Sequence, residues 1–144
     1  MPFILPVTVA ADQIDELDHV NNLVYIKWIQ EAAVTHSETL GLGLSAYLAL
    51  GQAFVVRRHE VDYLRSALVG EALLVETRVT HLGPASSTRQ TEIRRAGTGE
   101  PIARARTGWA FIDLGRNRPV RIPDDVRRRF PIDPPFPWAD GDRA

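Results

Sequence analysis

The chain contains no cysteine, which excludes a thiolate nucleophile, a disulfide framework and any cysteine-ligated zinc or iron–sulfur site. Neither sign of charge is in excess. The 17 basic and 18 acidic residues leave a formal net charge of -1, so nothing pulls the chain toward polyanions, and nucleic acid is not an expected partner. Long apolar runs are missing too: none approaches the roughly 20 residues of a membrane span. The opening Pro2-Phe3-Ile4-Leu5-Pro6 has neither a basic n-region nor a long h-region. The expectation is a cytoplasmic protein without membrane association.

Several chemistries are excluded along with their motifs. His19, His36, His59 and His81 form no H-x-x-x-H pair, so no metal site is expected. No G-x-S-x-G elbow is present, and Ser86-Ser87 after Gly83-Pro84 read as the start of a strand. Gly41-Leu42-Gly43-Leu44-Ser45-Ala46 superficially fits a dinucleotide fingerprint but follows a helix instead of a strand.

What remains is a chain of 144 residues, enough for one domain with a substantial core. Phe3 to Ala10 reads as a first strand, with Pro6 suiting a sheet edge. An acidic loop follows, carrying Asp12, Asp15, Glu16 and Asp18. From about Asn22 to Leu40 the period becomes helical: Tyr25, Ile29, Ala32, Ala33, His36 and Leu40 share one side, opposite Lys27, Glu31 and Glu38. Asn21 or Asn22 caps its start, and Gly41 and Gly43 end it. Leu44 to Leu50 is a short helical or looped piece. Beyond Gly51 the period is two, giving strands over Phe54–Leu64, Ala72–Leu82, Ser86–Arg95 and Ile102–Leu114. Gly83-Pro84 and Ala96-Gly97-Thr98-Gly99 read as hairpin turns, making the last three strands an antiparallel meander. Pro123 followed by Asp124-Asp125 opens one further short helix, and the chain beyond Phe130 reads as irregular. One helix cannot cover both faces of such a sheet, so self-association is expected.

The acidic loop holds the chemistry-bearing candidates. Asp15 stands shortly before a helix start, where unpaired backbone N–H groups carry partial positive charge suited to an anionic transition state. The amide of Asn22 could serve as an oxyanion donor, with a carboxylate acting as base or nucleophile. Asp12, Asp15 and Asp18 equally fit a solvated, helix-capping loop. His19 could orient a carboxylate or contact a substrate, or it could bond the loop backbone. Glu31 falls on the polar stripe of the helix and His36 on the apolar one, as a core or interface histidine with one satisfied nitrogen. Arg57-Arg58, Arg65, Arg89, Arg94-Arg95, Arg104 and Arg106 could meet phosphates. Most of them read as solvent-facing strand positions, because alternation tells which residues share a face and not which face meets a ligand.

Ile14-Asp15-Glu16-Leu17-Asp18-His19-Val20-Asn21-Asn22, followed by Tyr25, Trp28 and Glu31-Ala32-Ala33, resembles the start of hotdog-fold acyl-CoA thioesterases of the 4-hydroxybenzoyl-CoA thioesterase family. Val55 to Tyr63 and Arg118 to Pro123 resemble the same family's second strand and C-terminal segment. The resemblance implies an α+β hotdog fold, a curved antiparallel sheet wrapped around one long central helix, over residues 1–130, with 131–144 as an irregular tail. It implies Asp15 as nucleophile or general base and the Asn22 amide as the oxyanion hole, and it leaves His19, Tyr25 and Arg58 as substrate contacts. Glu31 matches a helical position where another branch of hotdog thioesterases places a catalytic glutamate. Many relatives have glycine where this chain has Asp18. The implied substrate is an acyl-CoA, with water as the only cosubstrate and no cofactor. The implied assembly is a homodimer or homotetramer with its active sites at the subunit interface. Acyl groups on acyl carrier protein, or acyl binding without turnover, are the alternatives.

Overall fold

The computed structural model describes residues 2–141, with side chains to residue 139. Residues 1 and 142–144, the ends of the expected domain and tail, lie outside the described residues. The strands are β1 (Phe3–Thr8), β2 (Gln52–Tyr63), β3 (Ala72–Leu82), β4 (Ser86–Arg95), β5 (Pro101–Asp113) and the short β6 (Arg118–Pro119). They form one antiparallel sheet in the order β1-β3-β4-β5-β2, with β6 added to β5. The helices are α1 (Asn22–Thr39), α2 (Leu44–Leu50), α3 (Asp124–Arg129) and the single turn α4 (Trp138–Gly141). The β3–β4–β5 meander forms as expected. Pro6 sits in an edge strand, where its missing N–H costs no ladder bond to a second neighbour.

Both ends of α1 are built by local chemistry. Asn21 is the cap, its side-chain oxygen accepting from the Leu23 N–H at 2.9 Å. At the other end Gly41 takes φ 80°. There the Gly41 and Leu42 N–H groups return to the carbonyls of Glu38 and Ser37 at 3.0 and 2.9 Å, closing the last turn. Asn21→Ala is expected to lower stability by about 1 kcal/mol, read as a lower urea midpoint with an unchanged m-value.

The sheet wraps α1 on one face. Leu73 and Val75 of β3, Ile93 of β4, and Ala103 and Ala105 of β5 pack against Tyr25, Trp28, Ile29 and Ala32. The small residues of β5 let helix and sheet approach closely. A second apolar cluster gathers Val79, Phe111, Ile122, Val126 and Phe130 near the far end of α1. Between the two clusters the inner face turns polar, with Thr77, Thr91, Thr107 and Arg89 all buried.

The opposite face carries charged side chains and is crossed by the C-terminal tail. Glu76, almost buried, bonds Arg78 and Arg94, each at 2.8 Å. The C-terminal tail, expected to be irregular, crosses this charged ladder before closing into α4. The Arg78 guanidinium lies 3.9 Å from the centre of the Phe136 ring. Gln90 accepts from the Phe136 N–H at 2.9 Å, and Arg106 donates to the Ala139 carbonyl at 2.8 Å. One edge of the sheet is open: among the described residues β2 pairs with β5 alone, leaving a row of backbone groups available to another strand.

Candidate active site

The loop before α1 folds back on itself. Ile14 and Val20 form an antiparallel bridge, the Asp15 N–H donates to the His19 carbonyl at 2.7 Å, and the Asn21 N–H donates to Gln13 at 2.9 Å. Inside this turn Asp15 Oδ1 accepts from the Leu17 N–H at 2.9 Å and the His19 N–H at 3.2 Å. One carboxylate oxygen therefore builds the loop, while Oδ2 makes no such bond among the described residues. Asp18 sits at the tip with φ 63°. That left-handed conformation suits glycine, and aspartate tolerates it better than most residues. This accounts for Asp18 at a position where the resembling family often has glycine.

A cleft of about 330 Å³ opens over this loop, lined by Asp15, His19, Asn22, Tyr25, Tyr63 and Arg65, among others. Asn22 is the first residue of α1, and its N–H has no acceptor among the described residues, while the next two amides are taken by Asn21. An unpaired N–H at the positive end of a helix dipole is a ready donor to an oxyanion. The structure thus brings Asp15, His19, Asn22 and Tyr25 to one cleft. The His19 ring is exposed and makes no hydrogen bond among the described residues. The Tyr25 phenol is buried and accepts from the Ala67 N–H at 3.1 Å, and burial raises its pKa above the ordinary tyrosine value.

Arg58 stands apart from this cleft. The register of β2 against β5 slips between Val56 and Arg58, and such a bulge flips every later side chain to the other face. Phe54 before it and Val61 after it both face inward. Arg58 instead joins Glu60 on the outer side, 2.8 Å away and largely exposed. Tyr63 is the wall residue the sequence did not single out, its hydroxyl donating to the Asn22 carbonyl at 3.3 Å. Nothing in the local pattern of β2 marks it, because the contact joins a strand end to a helix start far away in the chain. Glu31 is exposed on α1 and does not line the cleft.

A second cavity, of about 280 Å³, lies at the C-terminal end of α1, lined by Ala33, Ser37, Leu42, Phe54, Trp109 and Phe130, among others. Arg89 also lines it, an exception among the strand arginines read as mostly solvent-facing: it is 5% exposed. Arg89 Nη1 lies 3.0 Å from His36 Nδ1. A guanidinium has no acceptor, so His36 accepts through Nδ1 and carries its proton on Nε2. Burial, followed by the Arg89 charge, lowers the His36 pKa from 6.5 to about 4. No group of three side chains suited to a metal ion occurs among the described residues.

The family model of the thioesterase-like superfamily matches residues 9–130. The chain belongs to the thioesterase-like superfamily. Members of this superfamily hydrolyse thioesters. An acyl-CoA thioesterase, YbgC from Haemophilus influenzae, is 28% identical over 129 residues, covering 89% of this chain and 93% of the relative. A chloroplastic acyl-acyl carrier protein thioesterase of Arabidopsis thaliana, ATL3, is 25% identical over 118 residues, covering 82% of this chain but only 62% of the relative. Among solved structures, the 1,4-dihydroxy-2-naphthoyl-CoA thioesterase Slr0204 from Synechocystis superposes with a TM-score of 0.83 at 21% identity, over 90% of this chain and 95% of that one. A Thermus thermophilus thioesterase solved with coenzyme A and Zn has a TM-score of 0.76 at 28% identity, over 89% and 91% of the two chains. The superfamily member described here has the hotdog fold: a curled antiparallel sheet around one long helix.

Proposed function

We propose that the protein is a cytoplasmic acyl-CoA thioesterase working as a homodimer or homotetramer, with the Asp15 carboxylate as general base or nucleophile and the Asn22 N–H as oxyanion donor. The observation that carries this reading is that a carboxylate with one uncommitted oxygen and a helix-start N–H, both without further partners among the described residues, line the same cleft. As general base, Asp15 takes a proton from water as the water oxygen attacks the thioester carbonyl. The carbonyl oxygen gathers negative charge against the Asn22 N–H. Collapse of the tetrahedral species breaks the C–S bond, and the proton passes to the departing thiolate, leaving a carboxylic acid and free coenzyme A. Tyr63, bonded to the Asn22 carbonyl, steadies the helix start. His19 and Tyr25 complete the cleft wall. Arg58, beside the free edge of β2, is held for the phosphates of the coenzyme.

The open β2 edge supports the assembly: two copies pairing there antiparallel would continue the sheet. Leu23, Leu44 and Leu48, between 59% and 72% exposed, would gain cover. YbgC, almost fully spanned by this chain, favours coenzyme A as the thiol carrier over acyl carrier protein. Steady-state hydrolysis of matched acyl-CoA and acyl-carrier-protein substrates tests this directly. A higher kcat/KM on acyl-CoA is expected. A reversed preference would transfer the reading to carrier-protein thioesters, and binding without turnover on either would end the enzymatic one.

A further inference from the structure

We propose that the cavity at the C-terminal end of α1 receives an acyl group bearing a carboxylate at its far end, with Arg89 as the receptor for that carboxylate. The proposal rests on the thioesterase reading and names its substrate class.

Among the described residues the guanidinium is the one charged group lining an otherwise largely apolar cavity, and its hydrogen bonds divide it in two. Nη1 donates to His36 Nδ1 at 3.0 Å and to Thr77 Oγ1 at 3.2 Å. Nε and Nη2, the parallel edge that grips a carboxylate through two bonds, have no acceptor among the described residues. Neither atom is sealed inside the protein, so the edge is reachable from the cavity that Arg89 lines. Arg89 forms no ion pair among the described residues; its partners are neutral. Burial lowers its pKa to about 10, which leaves it charged at neutral pH. The indole N–H of Trp109, in the wall of the same cavity, is buried without an acceptor among the described residues.

A purely structural arginine tying sheet to helix would need only Nη1. A buried charge with three of its five N–H donors idle is costly, and a carboxylate arriving from the cavity would offset that cost. A methyl-terminated chain would leave it standing. The adipoyl group, a six-carbon dicarboxylic half-thioester, is a compact probe of that class. Such a group cannot span from the Asn22 of its own protomer, because Asn22 and Ala33 are about 16 Å apart along α1 at a rise of about 1.5 Å per residue. Antiparallel pairing of two β2 edges resolves this. The cavity is lined by the Ala53-Phe54 end of β2 and the Asp15 cleft by its Tyr63 end, so pairing sets the cavity of one copy beside the cleft of the other.

The test compares kcat/KM for adipoyl-CoA and hexanoyl-CoA within each protein, so that loss of folded enzyme cancels. The wild type is expected to favour adipoyl-CoA by at least tenfold, and R89M to shift that ratio toward hexanoyl-CoA by about 10–100-fold. R89K, keeping charge without the fork, is expected to fall between them. An unchanged ratio in R89M, or a wild type that prefers hexanoyl-CoA, overturns the proposal while leaving the thioesterase reading intact. If no thioester is turned over, that reading fails separately. Thermal shift of the wild type with monomethyl adipate against methyl hexanoate then decides the cavity alone: stabilisation by the acid only supports the receptor, and equal or absent shifts refute it.

Discussion

Asp15→Asn is expected to lower kcat on the best acyl-CoA by about 10²–10⁴-fold, with KM changed far less. Asparagine is chosen because it keeps an acceptor oxygen where Asp15 Oδ1 now receives the Leu17 and His19 amides. The loop and the helix start should therefore persist, and the loss should report chemistry. Asp15→Ala removes the acceptor as well, so it should lower the unfolding midpoint in addition to the rate. Asp18→Asn tolerates the same left-handed turn and serves as the control, with the rate essentially unchanged. Undiminished turnover by Asp15→Asn would remove Asp15 from the mechanism and turn attention to Glu31, although that residue is exposed and outside the cleft.

The second large effect is on stability against acid. His36 is held neutral by its burial and by the Arg89 guanidinium donating to Nδ1, with its pKa down from 6.5 to about 4. Its ring also stacks on Phe3 at 5.4 Å, while Asp133 works in the opposite direction, favouring the charged form. The unfolded chain binds the proton first as pH falls. The stability contributed by neutral His36 is thus fully present above about 6.5 and is lost as pH drops toward 4. At about 1.4 kcal/mol per pH unit, the loss amounts to about 3 kcal/mol. Urea midpoints at pH 7 and pH 4.5 should separate by a matching amount. In His36→Gln, whose side-chain oxygen can still accept from Arg89, that part of the separation should disappear. An equal separation in the variant would assign the acid sensitivity to other groups.

Much of this protein is legible without coordinates. The switch from a period of 3.6 to a period of two divides α1 from the strands, and Ala72–Leu82 and Ser86–Arg95 emerge with the ends read from the sequence. Short turn signals make the β3–β4–β5 meander the simplest connection. The helix cap falls on Asn21, one of two adjacent candidates, because its side chain folds forward onto the Leu23 N–H. Asp15 and Asn22 lie close in sequence, so one loop suffices to bring them to the same cleft. The tail was less legible: Phe136 and Trp138 pack on arginines from β3 and β5, contacts that no local pattern encodes.

The long helix, the four main strands after it, the meander and the acidic loop at a helix start follow from periodicity and capping within a few residues, so they are readable in the chain alone. The placement of the arginines depends on long-range packing. Alternation puts Arg89 and Arg58 on definite faces only once it is known which face wraps the helix and where a strand bulges. The bulge in β2 turns Arg58 outward beside Glu60. The wrap of the sheet takes Arg89 inward, against a histidine far away in the chain. There its charge has no protein counter-ion among the described residues, and two of its donor nitrogens open to a cavity.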